Sequence, residues 1–306
     1  MNNQNFNHEQ ETEQWENPFA KEIEKIAEKQ KANDDVIGKG EKNFVPKADD
    51  YQKDGIWHCG ICNEPMQANA SIVGLIHRPC RCERAKKDAE ARKEKKQKAD
   101  DRRKDAFGSY RNRRFLFTFE NDDGQSPIVS KQMKTYCEKF DEYRKSGTGL
   151  LLHSEHNGGG KTFFSCAIAN ELIDRGYRVK VTDFKTLRDE LFSVSNKMDY
   201  IMKLRSHDVV VIDDLGAENN TEHMMEVEYR IIDDLTENYT PLILTTNYTL
   251  REMNETTDRD KKRIFDRVFG SCIPVNIEPP EGKSRRLKNC KQITTDFRNL
   301  AAADHT

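Results

Sequence analysis

The stretch that most narrows what this chain can fold into is GLLLHSEHNGGGKTFF, residues 149–164. GLLL has the apolar run of a buried strand, and Gly158-Gly159-Gly160 then interrupt it. KTFFSCAIANELIDRG follows with helical spacing and closes on Gly176, where a helix-ending glycine belongs. Strand, glycine-rich turn and helix in direct succession point backbone N–H groups and a helix N-terminus at one place, the arrangement that holds phosphate. Gly158, Gly159 and Gly160 then line the loop, Lys161 reaches the β- and γ-phosphates, and the Thr162 hydroxyl is a ligand for Mg²⁺. The pattern G-x-x-x-x-G-K-[ST] is imperfect here, because Glu155 occupies the position of its first glycine. A carboxylate aimed at the phosphates would repel them, whereas one aimed at solvent would cost little.

Downstream segments support the same reading. VKVTDF, DVVVIDD, PLILTTN and IPVNI read as further buried strands, several of them separated by helical patterns. Such alternation predicts an α/β fold, a parallel sheet with helices on both faces. DVVVIDD ends in Asp213 and Asp214, the acidic strand end that holds Mg²⁺ and activates water. PLILTTN brings Asn247 to the same edge, where it can orient the attacking water. RIFDR offers Arg263 and Arg267 at i, i+4 on a helix, and an arginine delivered to a neighbouring subunit's nucleotide stabilises transition-state charge. ATP binding is the expectation from this set.

The first part of the chain differs in character. Residues 1–50 are Asn/Gln/Glu/Lys-rich and read as a flexible or partner-binding segment, with a short amphipathic helix at Phe19, Ile23, Ile26 and Ala27. Residues 51–84 form a candidate zinc-binding module. Cys59-x-x-Cys62 and Cys80-x-Cys82, seventeen residues apart, can place four sulfurs around one Zn²⁺, with His58 and His77 as possible substitutes. Four thiolates leave no open position, so the metal is structural. Cys137, Cys166, Cys272 and Cys290 are scattered and read as packing residues. The run 83–114 holds 14 Lys/Arg against 7 Asp/Glu without an apolar stripe. It reads as an exposed helical linker (85–114), either a solvated spacer or a nucleic-acid contact.

A net charge of −2 over 306 residues says nothing by itself about nucleic acid. No run approaches the length of a membrane helix, and the N-terminal residues lack the basic and apolar regions of a signal peptide. A cytoplasmic location without membrane association is expected, and there cysteines serve metals before disulfides.

FTFENDDG, GLLL with GGGKTFF and AIANELIDRG, VVVIDDLGAE, PLILTTN, RIFDRV and EGKSRR together resemble the DnaC/IstB-like AAA+ ATPases, specifically bacterial and phage replicative-helicase loaders. The resemblance implies an AAA+ P-loop NTPase core (residues 115–290) with a five-stranded parallel sheet flanked by helices, followed by a tail (291–306). It places Walker A roles on Gly158, Gly160, Lys161 and Thr162, Walker B roles on Asp213 and Asp214, and the sensor-1 role on Asn247. The arginine-finger role falls on Arg267, with Arg263 second, and the sensor-2 role on Arg286. ATP and Mg²⁺, a replicative DNA helicase, single-stranded DNA and self-association through the AAA+ domain are the implied cofactors and partners. Against the family pattern, Gly159 replaces a threonine, and Asp214 stands where many ATPases carry Glu. These departures predict weak, slow hydrolysis, with nucleotide acting as an assembly switch. A regulator of a DNA transposase and a non-hydrolysing helicase adaptor are the alternative readings.

Overall fold

The computed structural model describes residues 44–70, 74–108, 112–216, 222–279, 284–285, 291 and 293–295. The amphipathic segment around Phe19, as well as Arg286 and Cys290, lies outside the described residues. The chain divides into two compact units, Met1–Lys93 and Glu94–Thr306.

In the first unit two antiparallel hairpins, β1 (Tyr51–Lys53) with β2 (Ile56–His58) and β3 (Gln67–Ala70) with β4 (Gly74–His77), precede helix α1 (Arg81–Phe107). Its core is minute: Cys59, Met66 and Cys80 are buried, with Phe44, Cys62 and Cys82 packed against them. Glu64 accepts from the first backbone N–H of α1, that of Arg81, at 2.7 Å, and its carboxylate also meets Arg84 at 3.1 Å. A carboxylate at a helix N-terminus satisfies an orphan donor and opposes the dipole.

The second unit is built on a parallel sheet of order β6-β7-β8-β5-β9. These are β5 (Gly149–His153), β6 (Val179–Asp183), β7 (Val209–Leu215), β8 (Leu242–Thr246) and β9 (Cys272–Asn276). The five runs read as strands from their apolar character are these five strands. The apolar runs of the inner strands β5, β7 and β8 are continuous because both faces are covered, and alternate residues serve different cores. Leu150, Leu152, Val209, Val211 and Ile243 pack with Phe164, Ile168 and Leu172 of α4 (Lys161–Arg175) and with α2 (Pro127–Glu138). On the opposite face Leu151, Val210, Ile212, Leu242 and Leu244 pack against α5 (Phe184–Ser193), α6 (Lys197–Arg205), α7 (Glu222–Glu237) and α9 (Arg259–Ser271). Short helices α3 (Phe140–Ser146) and α8 (Leu250–Glu255) complete the connections.

Residues 83–98 of α1 are partly or fully exposed, whereas Ala99, Ala106 and Phe107 are buried. These last turns of the helix, from Glu94 on, belong to the second unit and are part of its core. Among the described residues no helix is long and apolar enough to cross a membrane.

Candidate nucleotide site

At the C-terminal ends of β5, β7 and β8 lies a cavity of about 1190 Å³, bordered by Gly158, Gly160, Lys161, Thr162, Asp214 and Asn247. Ligands of open α/β sheets bind at such strand ends. Gly158 and Gly160 have φ of 89° and 107°, backbone that favours glycine. They turn the chain from β5 into α4, whose first residues are Lys161 and Thr162. Lys161 is buried at the foot of the cavity.

The two acids of β7 take different positions. Asp213 is buried, and its Oδ1 accepts from Thr162 Oγ1 at 3.1 Å and from Thr245 Oγ1 at 2.7 Å. Its Oδ2 accepts from the Arg114 guanidinium at 3.0 Å. The β7–β8 register slips between Ile212 and Leu215, and at this bulge Asp214 adopts φ 60°. The bulge turns the Asp214 side chain out to the cavity while its N–H donates to Thr245 Oγ1 at 2.8 Å. Aspartate tolerates left-handed backbone better than glutamate does, which accounts for Asp at this position.

The irregularities of the loop have separate explanations. Glu155 borders a different cavity, of about 560 Å³, with His153, Thr249, Leu250, Arg251 and Glu278. Its N–H donates to Glu278 Oε1 at 3.0 Å, and His156 Nδ1 lies 2.9 Å from Oε2 of the same carboxylate. Burial acts to raise the Glu278 carboxyl, but the hydrogen bonds from His156, the Glu155 N–H and Ser154 outweigh it and hold it low. Gly159 packs against the exit of β9: a Cβ there would lie 2.0 Å from the Ile277 carbonyl oxygen. No threonine fits in that space.

Arg263 and Arg267 stand outside the cavity. Arg267 Nε lies 2.7 Å from Asp233 and its Nη1 3.1 Å from Glu237, both on α7, while the Arg263 guanidinium lies 4.0 Å from the Tyr229 ring centroid. Of the EGKSRR arginines, Arg285 is described, and it borders the cavity. Its N–H donates to Gly158 O at 3.1 Å and its guanidinium to Ser126 at 2.7 Å. Sequence reasoning passed over Arg285, Arg114 and Thr245. The doubled arginines of EGKSRR and NRRF and the doubled threonine of LTTN are the only traces they leave in the sequence.

In the first unit the ligand atoms of Cys59, Cys62, Cys80 and Cys82 lie within 4.8 Å of one another. Tetrahedral zinc at the usual Zn–S length spaces its sulfurs roughly 3.8 Å apart, so the set fits with a small contraction. Backbone N–H groups, first that of Glu64 and then that of Cys82, lower the Cys62 thiol to about 6. Cys82 is raised, chiefly by its hydrogen bond with Cys62, and Cys80 is raised chiefly by burial. The two histidines are engaged elsewhere, His58 with Ile56 O at 3.1 Å and His77 with Glu83 at 3.2 Å.

Residues 147–293 match the model of the IstB-like ATP binding protein family. The replicative helicase loader DnaI of Bacillus subtilis is 25% identical over 190 residues, 55% of this chain and 58% of that protein. The replicative helicase loader DnaC of Escherichia coli K12 is 26% identical over 169 residues, 53% of this chain and 66% of that protein. The chain thus spans less than two thirds of either relative. Among solved structures, a DnaC helicase loader superposes with a TM-score of 0.48 at 20% identity, covering 55% of this chain and 99% of that one. A DnaI structure gives 0.44 at 25% identity over 57% and 95%.

Proposed function

We propose that this chain, whose residues 147–293 match the model of the IstB-like ATP binding protein family, is an ATP-dependent loader that sets a ring-shaped replicative helicase on single-stranded DNA. The observation that carries the nucleotide half of this reading is the convergence of Lys161, Thr162, Asp214 and Asn247 on one cavity at the sheet's C-terminal edge. Similarity to two replicative helicase loaders carries the partner half.

In this reading Lys161 and the loop N–H groups hold the β- and γ-phosphates. The Thr162 hydroxyl and the Asp213 carboxylate, 3.1 Å apart, are hard oxygen donors of the kind Mg²⁺ takes, and they would hold it. Bound Mg²⁺ supplies neutralisation of the charge that develops on the phosphates. Asp214 accepts the proton of the attacking water and Asn247 orients that water. Arg285 adds positive charge on the α4 side of the cavity, its guanidinium carbon 5.8 Å from the Phe164 ring centroid. Arg286 is the other candidate for that role.

Arg267, with Arg263 as second candidate, faces away from its own chain's cavity and would act on a neighbour's nucleotide in a self-assembled ring. It would first have to leave Asp233 and Glu237. Cys59, Cys62, Cys80 and Cys82 would hold Zn²⁺ as a structural ion, and the module they staple, with residues 1–50, would engage the helicase. Lysine and arginine contacts to phosphate would grip single-stranded DNA, so that binding should fall steeply with salt.

Co-purification with the host's replicative helicase, with and without ATP, tests the reading, together with ATP turnover with and without single-stranded DNA. A complex is expected, with slow turnover at the site. Failure to form a complex under either condition overturns the loader, and turnover would then point to another ATP-dependent role on the same domain.

A further inference from the structure

Arg114 lies in a short 3-10 helix (Arg113–Leu116) ahead of the sheet, yet its guanidinium ends on the carboxylate at the end of β7, Nη2 lying 3.0 Å from Asp213 Oδ2. The Asp213 side chain is 6% exposed and that of Arg114 28%, so the pair is largely withdrawn from solvent. The backbone of the same segment is also held. Asn170, buried on α4, donates through Nδ2 to the carbonyls of Arg114 and Phe117 at 3.1 and 2.9 Å. Its Oδ1 accepts from Arg103 Nε, near the end of α1, at 3.0 Å, and Arg103 also pairs with Asp174. An unbroken polar chain therefore runs from the last turns of α1, through α4 and the Arg114 segment, to Asp213.

A carboxylate oxygen that coordinates Mg²⁺ must meet strict octahedral geometry, and the ion repels any other cation held within a few ångströms in a partly buried site. A guanidinium on the same carboxylate satisfies neither condition. We propose that Arg114 and Mg²⁺ compete for Asp213, so that binding of the Mg²⁺–nucleotide pair releases Arg114 and loosens the segment 112–117 beside the cavity. The proposal rests on the reading of the cavity as a nucleotide site and adds a positioning residue to it. It also gives the end of α1 a route by which to sense the cation, since Asn170 holds both Arg103 and the Arg114 segment.

The test is a Mg²⁺ titration of a fluorescent ADP analogue at fixed concentration, on the full chain and on Arg114→Ala and Arg114→Lys. The Mg²⁺ half-saturation should fall about fivefold in Arg114→Ala, the size of a partly exposed ion pair, and Arg114→Lys should lie between. Hydrogen exchange on the unaltered chain is a second readout and needs no variant to fold. The amides of Phe115, Phe117 and Thr118, which close the turns of this segment, should exchange faster when Mg²⁺ joins the nucleotide. Equal half-saturation in the parent chain and Arg114→Ala, or amides that Mg²⁺ does not speed, overturns the competition and leaves the nucleotide site standing. No binding of the analogue to the parent chain, with or without Mg²⁺, overturns both.

Discussion

Gly159 and Glu155 both depart from the expected loop pattern, and the reasons differ. Gly159 is confined by backbone: the Ile277 carbonyl lies where its Cβ would go, and no side-chain rotation relieves that contact. Its absent side chain is a packing requirement imposed by the exit of β9. Glu155 is exposed and borders the other cavity, away from Lys161 and Thr162. Gly159→Ala should therefore destabilise the second unit by about 1–3 kcal/mol, the usual cost of forcing atoms into a packed site, and weaken nucleotide binding. Glu155→Gly should leave nucleotide affinity within about twofold, because a screened surface charge acts weakly at a distance. Urea midpoints and nucleotide titrations of the two variants decide the matter. A stable, tightly binding Gly159→Ala would contradict the packing argument, and a large gain in affinity for Glu155→Gly would place the carboxylate at the phosphates.

At the scale of elements, what the sequence made readable follows from burial. The three inner strands, β5, β7 and β8, are buried between two helical layers, so their residues form nearly unbroken apolar runs, a signal that needs no tertiary knowledge. The edge strands β6 and β9 are interrupted by polar or exposed positions. The loop and Asp214 were readable for a related reason, since a phosphate site assembled at strand ends uses residues adjacent to those runs. Arg114 was not readable. It comes from a basic stretch that looks like the end of a linker, and it meets Asp213 across 99 positions of sequence. Asn170 was equally silent, one of several polar positions in its helix, because its partners, Arg103 on α1 and the carbonyls of Arg114 and Phe117, come from two segments remote in sequence. The hairpins of the first unit pose the opposite case. They bury little apolar surface, so a metal held by the four thiols would add folding energy of the kind that small metal-stapled modules rely on. The purified chain should carry about one zinc ion, and Cys80→Ser, which removes a buried ligand, should lose it and expose residues 51–82 to protease. Metal analysis and limited proteolysis check this. A Cys80→Ser chain as protease-resistant as its parent would mean that the hairpins fold without metal.

For the whole molecule, acid should act through two histidines at opposite edges of the sheet. His153 closes the C-terminal end of β5, and His207 lies just before the start of β7. Burial lowers the pKa of both below the ordinary 6.5, with Lys161 adding to the effect at His153 against the pull of Glu278. At His207 hydrogen bonding to Leu204 O works the other way but does not reverse it. A histidine of this kind is neutral in both states above pH 6.5, so it contributes no pH dependence there. As pH falls below that value the unfolded chain takes up the proton first, and the folded state loses ground until its own lower pKa is reached. Stability therefore rises with pH across this window, by at most about 1.4 kcal/mol per pH unit for each histidine. Carboxylates held low, Glu278 among them, titrate below the window, whereas the Cys62 thiol, where no metal holds it, falls inside it and adds to the slope in the same direction. The unfolding midpoint in urea should fall between pH 7.0 and 5.5, and His153→Asn with His207→Asn should flatten that slope even if it lowers the midpoint overall. A double variant that keeps the parent's slope would assign the acid sensitivity to other groups.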